Sequence, residues 1–132
     1  MAQPISTTGA GTFQRIHYRL DAWTAARELV KAVYLLTQPF PKSELFGLTG
    51  QLRRAAISIP SNIAEGAARS GEKEFAYFLS VARGSLSELE TQLIIASDLN
   101  YISAHDPVFD LLDRASRLLT GLQKAVDRKA QR

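Results

Sequence analysis

The stretch RRAAISIPSNIAEG, residues 53–66, lies near the middle of the chain and has the pattern of a helix with more than one apolar face. Apolar side chains recur through and around it every three or four residues, which places them on one face of an α-helix. The members of this stripe are Leu48, Leu52, Ala56, Ile59, Ile63 and Ala67. A polar row follows the same spacing and consists of Gln51, Arg54, Ser58, Asn62, Glu65 and Arg69. A third face, with Ile57, Ala64 and Ala68, is again apolar. A helix on the surface of a protein has a single apolar face, whereas this one has two. We therefore expect one apolar face to pack inside the subunit and the other to pack against a neighbouring copy.

Pro60 lies in the middle of this helix, where a proline removes a backbone donor and costs roughly 3 kcal/mol. The apolar stripe nevertheless keeps its phase from Ile59 to Ile63. We therefore predict one kinked helix, in which Ser58 or Ser61 bonds the freed carbonyl groups.

Two helices are predicted in the first half of the chain. The first begins at Asp21, a good capping residue, and ends near Gln38, before the sequence Pro-Phe-Pro of residues 39–41. The second opens at Ser43, with Glu44 in its first turn. The buried side chains predicted for the first helix are Trp23, Ala26, Val30, Val33 and Leu36 or Thr37, and Trp23 and Tyr34 are its bulky anchors.

Two more helices are predicted in the second half. The third follows a Ser70 cap and runs to about Leu99, and the fourth follows the capping pair Asp106-Pro107. Gly84 and Ser85 are poor helix formers, so we interpret them as a close crossing with a neighbouring helix. The stripes predicted to be buried are Phe75, Phe78 or Leu79, Ala82, Leu86, Leu89, Leu93 and Ala96 in the third helix, and Val108, Leu111, Ala115, Leu118, Leu122 and Val126 or Ala125 in the fourth.

Four helices with short connections predict an all-α protein, an up-down antiparallel four-helix bundle. We assign the bundle to residues 20–132. Residues 1–19 are predicted to be a flexible N-terminal tail, because the first dozen are small and polar and lack periodicity.

The sequence also resembles a bacterial "four helix bundle protein" family, some of whose members are encoded in intervening sequences of large-subunit ribosomal RNA genes. The residues that carry the resemblance are Phe40-Pro41 to Gly66, Glu74-Phe75, Phe78-Leu79, Ala82 to Leu86 and Glu88-Leu89. The resemblance implies a bundle that assembles as a ring-shaped homopentamer. The related accessory proteins of diversity-generating retroelements are also basic pentameric bundles and work with a reverse transcriptase and nucleic acid.

The net charge of +3 comes from the end of the chain. Residues 109–132 contain six basic and three acidic side chains, whereas residues 1–108 contain ten of each. The candidate nucleic-acid contacts are the cations that share one helical face, Arg114, Arg117, Lys124 and Arg128. A solvated face whose charges suit the helix dipole is the simpler interpretation, but five copies in a ring would multiply the patch.

The polar row of the second helix is predicted to meet the third helix in a structural network. Its candidate members are Arg54, Ser58, Asn62, Glu65, Arg83 and Glu88. Buried charges persist when they are paired, so we expect ion pairs between Arg54 and Glu88 or between Glu65 and Arg83, within the bundle or between subunits.

No catalytic motif is apparent in the sequence. There is no cysteine, and the two histidines, His17 and His105, have no partner at ligand or triad spacing. The inward Glu-x-x-His pattern of di-iron bundles is missing. We therefore expect no enzyme activity, no cofactor and no metal. Tyr77 and Tyr101 are the aromatic residues least committed to a core, and stacking on them would suit single-stranded nucleic acid.

These observations predict a cytoplasmic, non-enzymatic, oligomeric accessory protein. We expect it to bind RNA or single-stranded DNA through phosphate contacts on its basic patches. The alternative is a protein-interaction scaffold that binds another protein and no nucleic acid. No membrane partner is expected, because no apolar run approaches the ~20 residues that span a bilayer.

Overall fold

A computed structural model describes residues 15–131 and contains four α-helices. Their bounds are α1 Asp21–Thr37, α2 Leu48–Ala67, α3 Glu72–Asp98 and α4 Val108–Ala130. Short 3-10 helices precede α1 (Ile16–Arg19) and α2 (Lys42–Glu44). Residues 15–131 include no β-strand. The prediction of an all-helical protein with four helices is therefore confirmed.

The four helices form a closed square in the order of the chain. Each packs against the next, α1 also packs against α4, and the contact between α2 and α3 is the most extensive. The core is aliphatic, and its largest fully buried side chains are Leu29, Val33, Leu52, Ile59, Ile63, Leu79, Leu89, Leu93, Leu112 and Leu119. Of the predicted tail, residues 1–14 lie outside the described residues, and the 3-10 helix before α1 touches both α1 and α2.

Helix α2 runs without a break through Pro60, which is itself buried. The prediction of one helix is confirmed, but the predicted role of the serines is not. The Ser58 hydroxyl lies 2.8 Å from that of Ser85 on α3, and Ser61 is exposed. Ser58 therefore joins two helices and does not compensate the proline.

Two predicted helix starts were wrong. Helix α2 begins at Leu48, since Ser43 lies in the preceding 3-10 helix. Glu44 still serves the α2 terminus, because its Oε1 accepts a hydrogen bond from the Leu48 backbone N–H at 3.3 Å. Helix α3 begins after Gly71, which occupies the cap position that we predicted for Ser70. The predicted capping role of Asp106 is confirmed, since its Oδ1 accepts a hydrogen bond from the Val108 N–H at 2.8 Å, and α4 begins one residue after the predicted Pro107.

The buried face of α4 is rotated from the predicted one. Leu112 and Leu119 are in the core, whereas Leu111 and Leu118 are only partly buried. Gln123 is also buried, at 8% exposure. In α1, Tyr34 is not an anchor of the core, because 36% of it is exposed.

The close helix crossing is made by a different glycine from the predicted one. A Cβ added to Gly84 would meet nothing within 4 Å. A Cβ added to Gly66 would lie 2.8 Å from Phe78 Cβ and 2.9 Å from Phe75 Cδ1. The end of α2 therefore approaches α3 through Gly66, whereas Gly84 faces open space. Ser85, beside it, does contact a neighbouring helix as predicted, since its hydroxyl lies 2.8 Å from that of Ser58 on α2.

Candidate nucleic-acid interface

The four predicted nucleic-acid contacts, Arg114, Arg117, Lys124 and Arg128, are all exposed on α4. We call them the basic face. They lie opposite the buried stripe of α4, so they project away from the bundle. Among the described residues, Arg117, Lys124 and Arg128 form no ion pair.

Arg114 is the exception in the basic face. Its Nη1 lies 3.7 Å from Glu28 Oε2 on α1, and the two side chains are 55% and 49% exposed. A pair this open to water contributes about 0–1 kcal/mol. Glu28 nevertheless offsets part of the positive charge of Arg114, so Arg114 is the least suited of the four cations to bind an anion.

Acidic residues limit the basic face at its N-terminal end. No lysine or arginine occurs between Arg83 and Arg114, whereas residues 84–113 contain six carboxylates. Two of them, Asp110 and Asp113, are exposed on the first turns of α4. The positive potential is therefore concentrated on the C-terminal two thirds of the helix.

Arg83 of α3 adds a cation next to the basic face. Its Nη1 donates to Gln123 Oε1 on α4 at 3.1 Å. Gln123 Nε2 donates in turn to Ser80 Oγ at 2.8 Å. This chain of hydrogen bonds joins α3 to α4 and was not predicted, because a glutamine in an apolar stripe gives no indication of its partner.

The predicted pair Glu65–Arg83 does not form within the described chain. Glu65 Oε1 instead accepts from Arg69 Nη2 at 2.9 Å, one helical turn away, and Arg83 turns toward α4. A side chain four residues away on the same helix is always close enough to pair. A partner on another helix is close enough only when the two helices have the right relative rotation and the right shift along their axes.

The predicted pair Arg54–Glu88 is likewise not formed among residues 15–131. Glu88 Oε1 accepts from Gln92 Nε2 at 3.1 Å, and Arg54 is exposed and has no polar partner among the described residues. The uncharged part of the network does come together. Asn62 Nδ2 donates to Ser58 Oγ at 2.9 Å and to the Ser58 carbonyl at 2.8 Å. An arrangement of the charged members between subunits stays a prediction.

Tyr101 belongs to the bundle and not to a stacking surface. Its ring centroid lies 5.1 Å from that of Phe40, and its hydroxyl donates to Glu44 Oε2 at 3.0 Å. The hydrogen bond to Glu44, followed by burial and the Glu44 charge, raises the pKa of Tyr101 above its usual value of 10.0. Tyr77 is 64% exposed and remains available.

The sequence model of the 23S rRNA-intervening sequence protein family matches residues 18–121, which is most of the chain. The chain belongs to this family. A comparison with curated proteins gives no match. The match covers α1, α2, α3 and the first part of α4, including Arg114 and Arg117 of the basic face, whereas Lys124 and Arg128 follow it.

This member of the 23S rRNA-intervening sequence protein family also has an apolar groove between α1 and α2. The groove has a volume of about 350 Å³, and it is lined by Arg27, Val30, Lys31, Tyr34, Ile57 and Pro60. Ile57, on the third face of α2, is 42% exposed. The Arg53 guanidinium lies 4.7 Å from the centroid of the Tyr34 ring. The groove therefore has an apolar floor and a basic rim.

The end of α3 has the opposite character. Three large apolar side chains are about half exposed there, namely Ile94, Ile95 and Leu99. The charged residues of the same segment are all acidic: Glu88, Glu90 and Asp98. The acidic apolar surface at the end of α3 and the groove with the basic rim are therefore opposite in charge, and both expose apolar area. No helix among residues 15–131 is long and apolar enough to cross a membrane.

Proposed function

We propose that this protein is a non-enzymatic, oligomeric accessory protein that binds RNA through the phosphate backbone. The observation that carries the proposal is the basic face of α4, in which three exposed cations have no carboxylate partner within the described chain. Membership of a family named for intervening sequences in 23S rRNA supports RNA as the nucleic acid. Phosphate contacts of this kind give affinity without reading the sequence of the bases.

The geometry of the basic face suits a strand that follows α4. Arg117 and Arg128 are eleven residues apart in one helix, which corresponds to roughly 16 Å along the axis. A flexible single strand can bring several phosphates to such a row. Each subunit that neutralises three phosphates would contribute about −2 to the slope of log affinity against log salt concentration.

We further propose that copies of the chain meet through the groove between α1 and α2. The occupant is the acidic apolar end of α3 from the next copy, because apolar area meets apolar area and the charges are of opposite sign. Two different surfaces of one chain generate a ring when the rotation closes. The family resemblance implies five subunits. An Ile57→Asp variant should shift the mass measured by light scattering toward the monomer, and an unchanged mass would contradict this contact.

RNA binding is tested with a variant that loses the three unpaired charges, Arg117→Gln, Lys124→Gln and Arg128→Gln. Binding of a single-stranded RNA is measured by fluorescence anisotropy at low salt. We expect the affinity to fall by at least tenfold and the salt slope to become shallower by about 2, because three phosphates lose their counter-charges.

The matched control removes three exposed charges elsewhere, as Lys42→Gln, Arg54→Gln and Lys73→Gln. This control has the same net charge as the test variant. Equal losses in the two variants would show that net charge and not the basic face attracts RNA, and would refute the assignment of the site.

A protein-interaction scaffold is the second candidate. It is favoured by Phe46, which is 96% exposed in the turn before α2, because a large exposed aromatic side chain is typical of contact sites between proteins. A scaffold should bind a protein partner with little dependence on salt. Wild-type protein that binds no RNA at low salt would leave this candidate in place.

A further inference from the structure

A small polar cavity lies between α3 and α4, beside the basic face. Its volume is about 70 Å³, and it is lined by Arg83, Leu86, Ser87, Ser116, Leu119 and Thr120. Leu86 and Leu119 are buried, Ser116 and Thr120 are partly buried, and Arg83 and Ser87 are exposed. The lining thus combines two apolar side chains with three that carry a hydroxyl group and one that carries a guanidinium. Arg117 directly follows Ser116, and Lys124 lies one helical turn after Thr120. The cavity therefore adjoins two residues of the basic face.

Arg83 is held at this cavity by a neutral partner. Gln123 Oε1 accepts one of its hydrogen bonds at 3.1 Å, and Gln123 is fixed by its own bond to Ser80 at 2.8 Å. Among the described residues no carboxylate lies within ion-pair distance of Arg83, although Asp127 is one turn from Gln123 on α4. An arginine that is positioned by an amide keeps its full charge and its other N–H donors for an anion.

We propose that this cavity seats one backbone phosphate of the RNA strand that follows α4. The proposal rests on the proposed RNA-binding function and names a subsite within it. A planar guanidinium donates two parallel hydrogen bonds to phosphate oxygens, and the serine and threonine hydroxyls can donate the remaining ones. The volume corresponds to roughly two water molecules of about 30 Å³ each. It suits a phosphate group, and it offers no aromatic surface on which a base could stack.

The subsite has a sharp test in two single variants of the full chain. Arg83→Gln removes the cation of the cavity, and Arg54→Gln removes an exposed, unpaired cation from α2. Affinity for a single-stranded RNA is measured by anisotropy over a series of salt concentrations. We expect Arg83→Gln to bind about tenfold or more weakly and to lower the salt slope by about 0.7–1, whereas Arg54→Gln stays within about twofold of the wild type.

A second variant separates binding from folding. Ser116→Ala with Thr120→Ala keeps every charge but removes two hydroxyl donors, and its melting temperature should match that of the wild type. We expect a loss of RNA affinity of about threefold to tenfold. Titration of the wild type with inorganic phosphate, followed by NMR, should shift the resonances of Arg83 and Thr120 and leave that of Arg54 unchanged.

The outcomes distinguish this subsite from the function on which it rests. If the wild type binds RNA and Arg83→Gln behaves like Arg54→Gln, the subsite is refuted and the proposed function stands. If the wild type binds no RNA at low salt, both are refuted. Shifts that phosphate induces equally at Arg54 would also contradict a built site at Arg83.

Discussion

The contact between α2 and α3 at Gly66 makes a quantitative prediction. Gly66 is buried in the last turn of α2. A Cβ at this position would lie 2.8 Å from Phe78 Cβ, 2.9 Å from Phe75 Cδ1 and 3.3 Å from the Phe75 carbonyl oxygen. Two of these atoms are fixed to the α3 backbone, so a rotation of a side chain cannot relieve the clash. We therefore expect Gly66→Ala to force the two helices apart.

Two opposing effects set the change in the free energy of unfolding that Gly66→Ala causes. Overpacking of a dense core costs about 1–3 kcal/mol, and the fixed backbone places Gly66→Ala in the upper half of this range. Replacing glycine by alanine in a helix gains at most about 1 kcal/mol. The net loss should be about 1–2 kcal/mol. Gly84→Ala is the matched control, because it has the same helical gain and an added Cβ that meets nothing within 4 Å. This control should be about 0.5–1 kcal/mol more stable than the wild type.

Thermal unfolding followed by circular dichroism measures both variants, at equal subunit concentration because assembly shifts the apparent stability. For a domain of this size 1 kcal/mol corresponds to roughly 4 °C. We expect Gly66→Ala to melt roughly 4–8 °C below the wild type and Gly84→Ala a few degrees above it. A Gly66→Ala variant as stable as the wild type would refute the close approach of α2 and α3.

Three further predictions concern single hydrogen bonds. Tyr101→Phe loses the hydrogen bond to Glu44. This bond raises the pKa of Tyr101 above 10.0, so the stability that it adds to the folded protein is present below pH 10. That stability is lost as the pH rises through the raised pKa. The melting temperature of Tyr101→Phe should be lower than that of the wild type at pH 8, and the difference should disappear above pH 10; a constant difference would contradict the role of the hydroxyl. Gln123→Glu keeps an acceptor for Arg83 but neutralises the charge of Arg83. RNA affinity should therefore fall about tenfold, while circular dichroism shows that the bundle stays folded. Unchanged RNA affinity would show that Arg83 does not contact the anion. Asp106→Ala removes the cap of α4 and should cost about 1 kcal/mol in urea unfolding; no loss would indicate that the Asp106 bond does not stabilise the helix.

The helices could be predicted from the sequence because their ends are encoded locally. Pro39 and Pro41 end α1, and Asp106-Pro107 starts α4 within one turn of the observed position. The continuity of α2 through Pro60 was also predictable, since the apolar stripe keeps its phase there. These features depend on neighbours in the chain and need no knowledge of the packing.

The rotation of α4 could not be predicted in the same way. Leu111 and Leu112 are adjacent, as are Leu118 and Leu119, so two stripes 100° apart are both largely apolar. The choice depends on Gln123, whose burial becomes acceptable only when Ser80 and Arg83 of α3 satisfy its amide. Such partners are known only once the two helices are placed together.

Only those features of the candidate site that depend on spacing within one helix could be predicted from the sequence. Exposure of the basic face followed from four cations at helical spacing. The pairing of Arg114 with Glu28 depends on the register between α1 and α4, which periodicity does not contain. The cavity at Arg83 lies between residues of α3 and α4 that are at least 29 positions apart in the chain, and no local pattern indicates it.

If RNA is held by phosphate contacts on α4, as we propose, its affinity must depend strongly on salt concentration. The measurement is the affinity of the wild-type protein for a single-stranded RNA of mixed sequence between about 50 and 200 mM salt, concentrations over which phosphate binding weakens steeply. A slope of log affinity against log salt of about −2 or steeper, with little dependence on base sequence, is the predicted result. Absence of binding at 50 mM salt, or binding with a slope near zero, would contradict the claim.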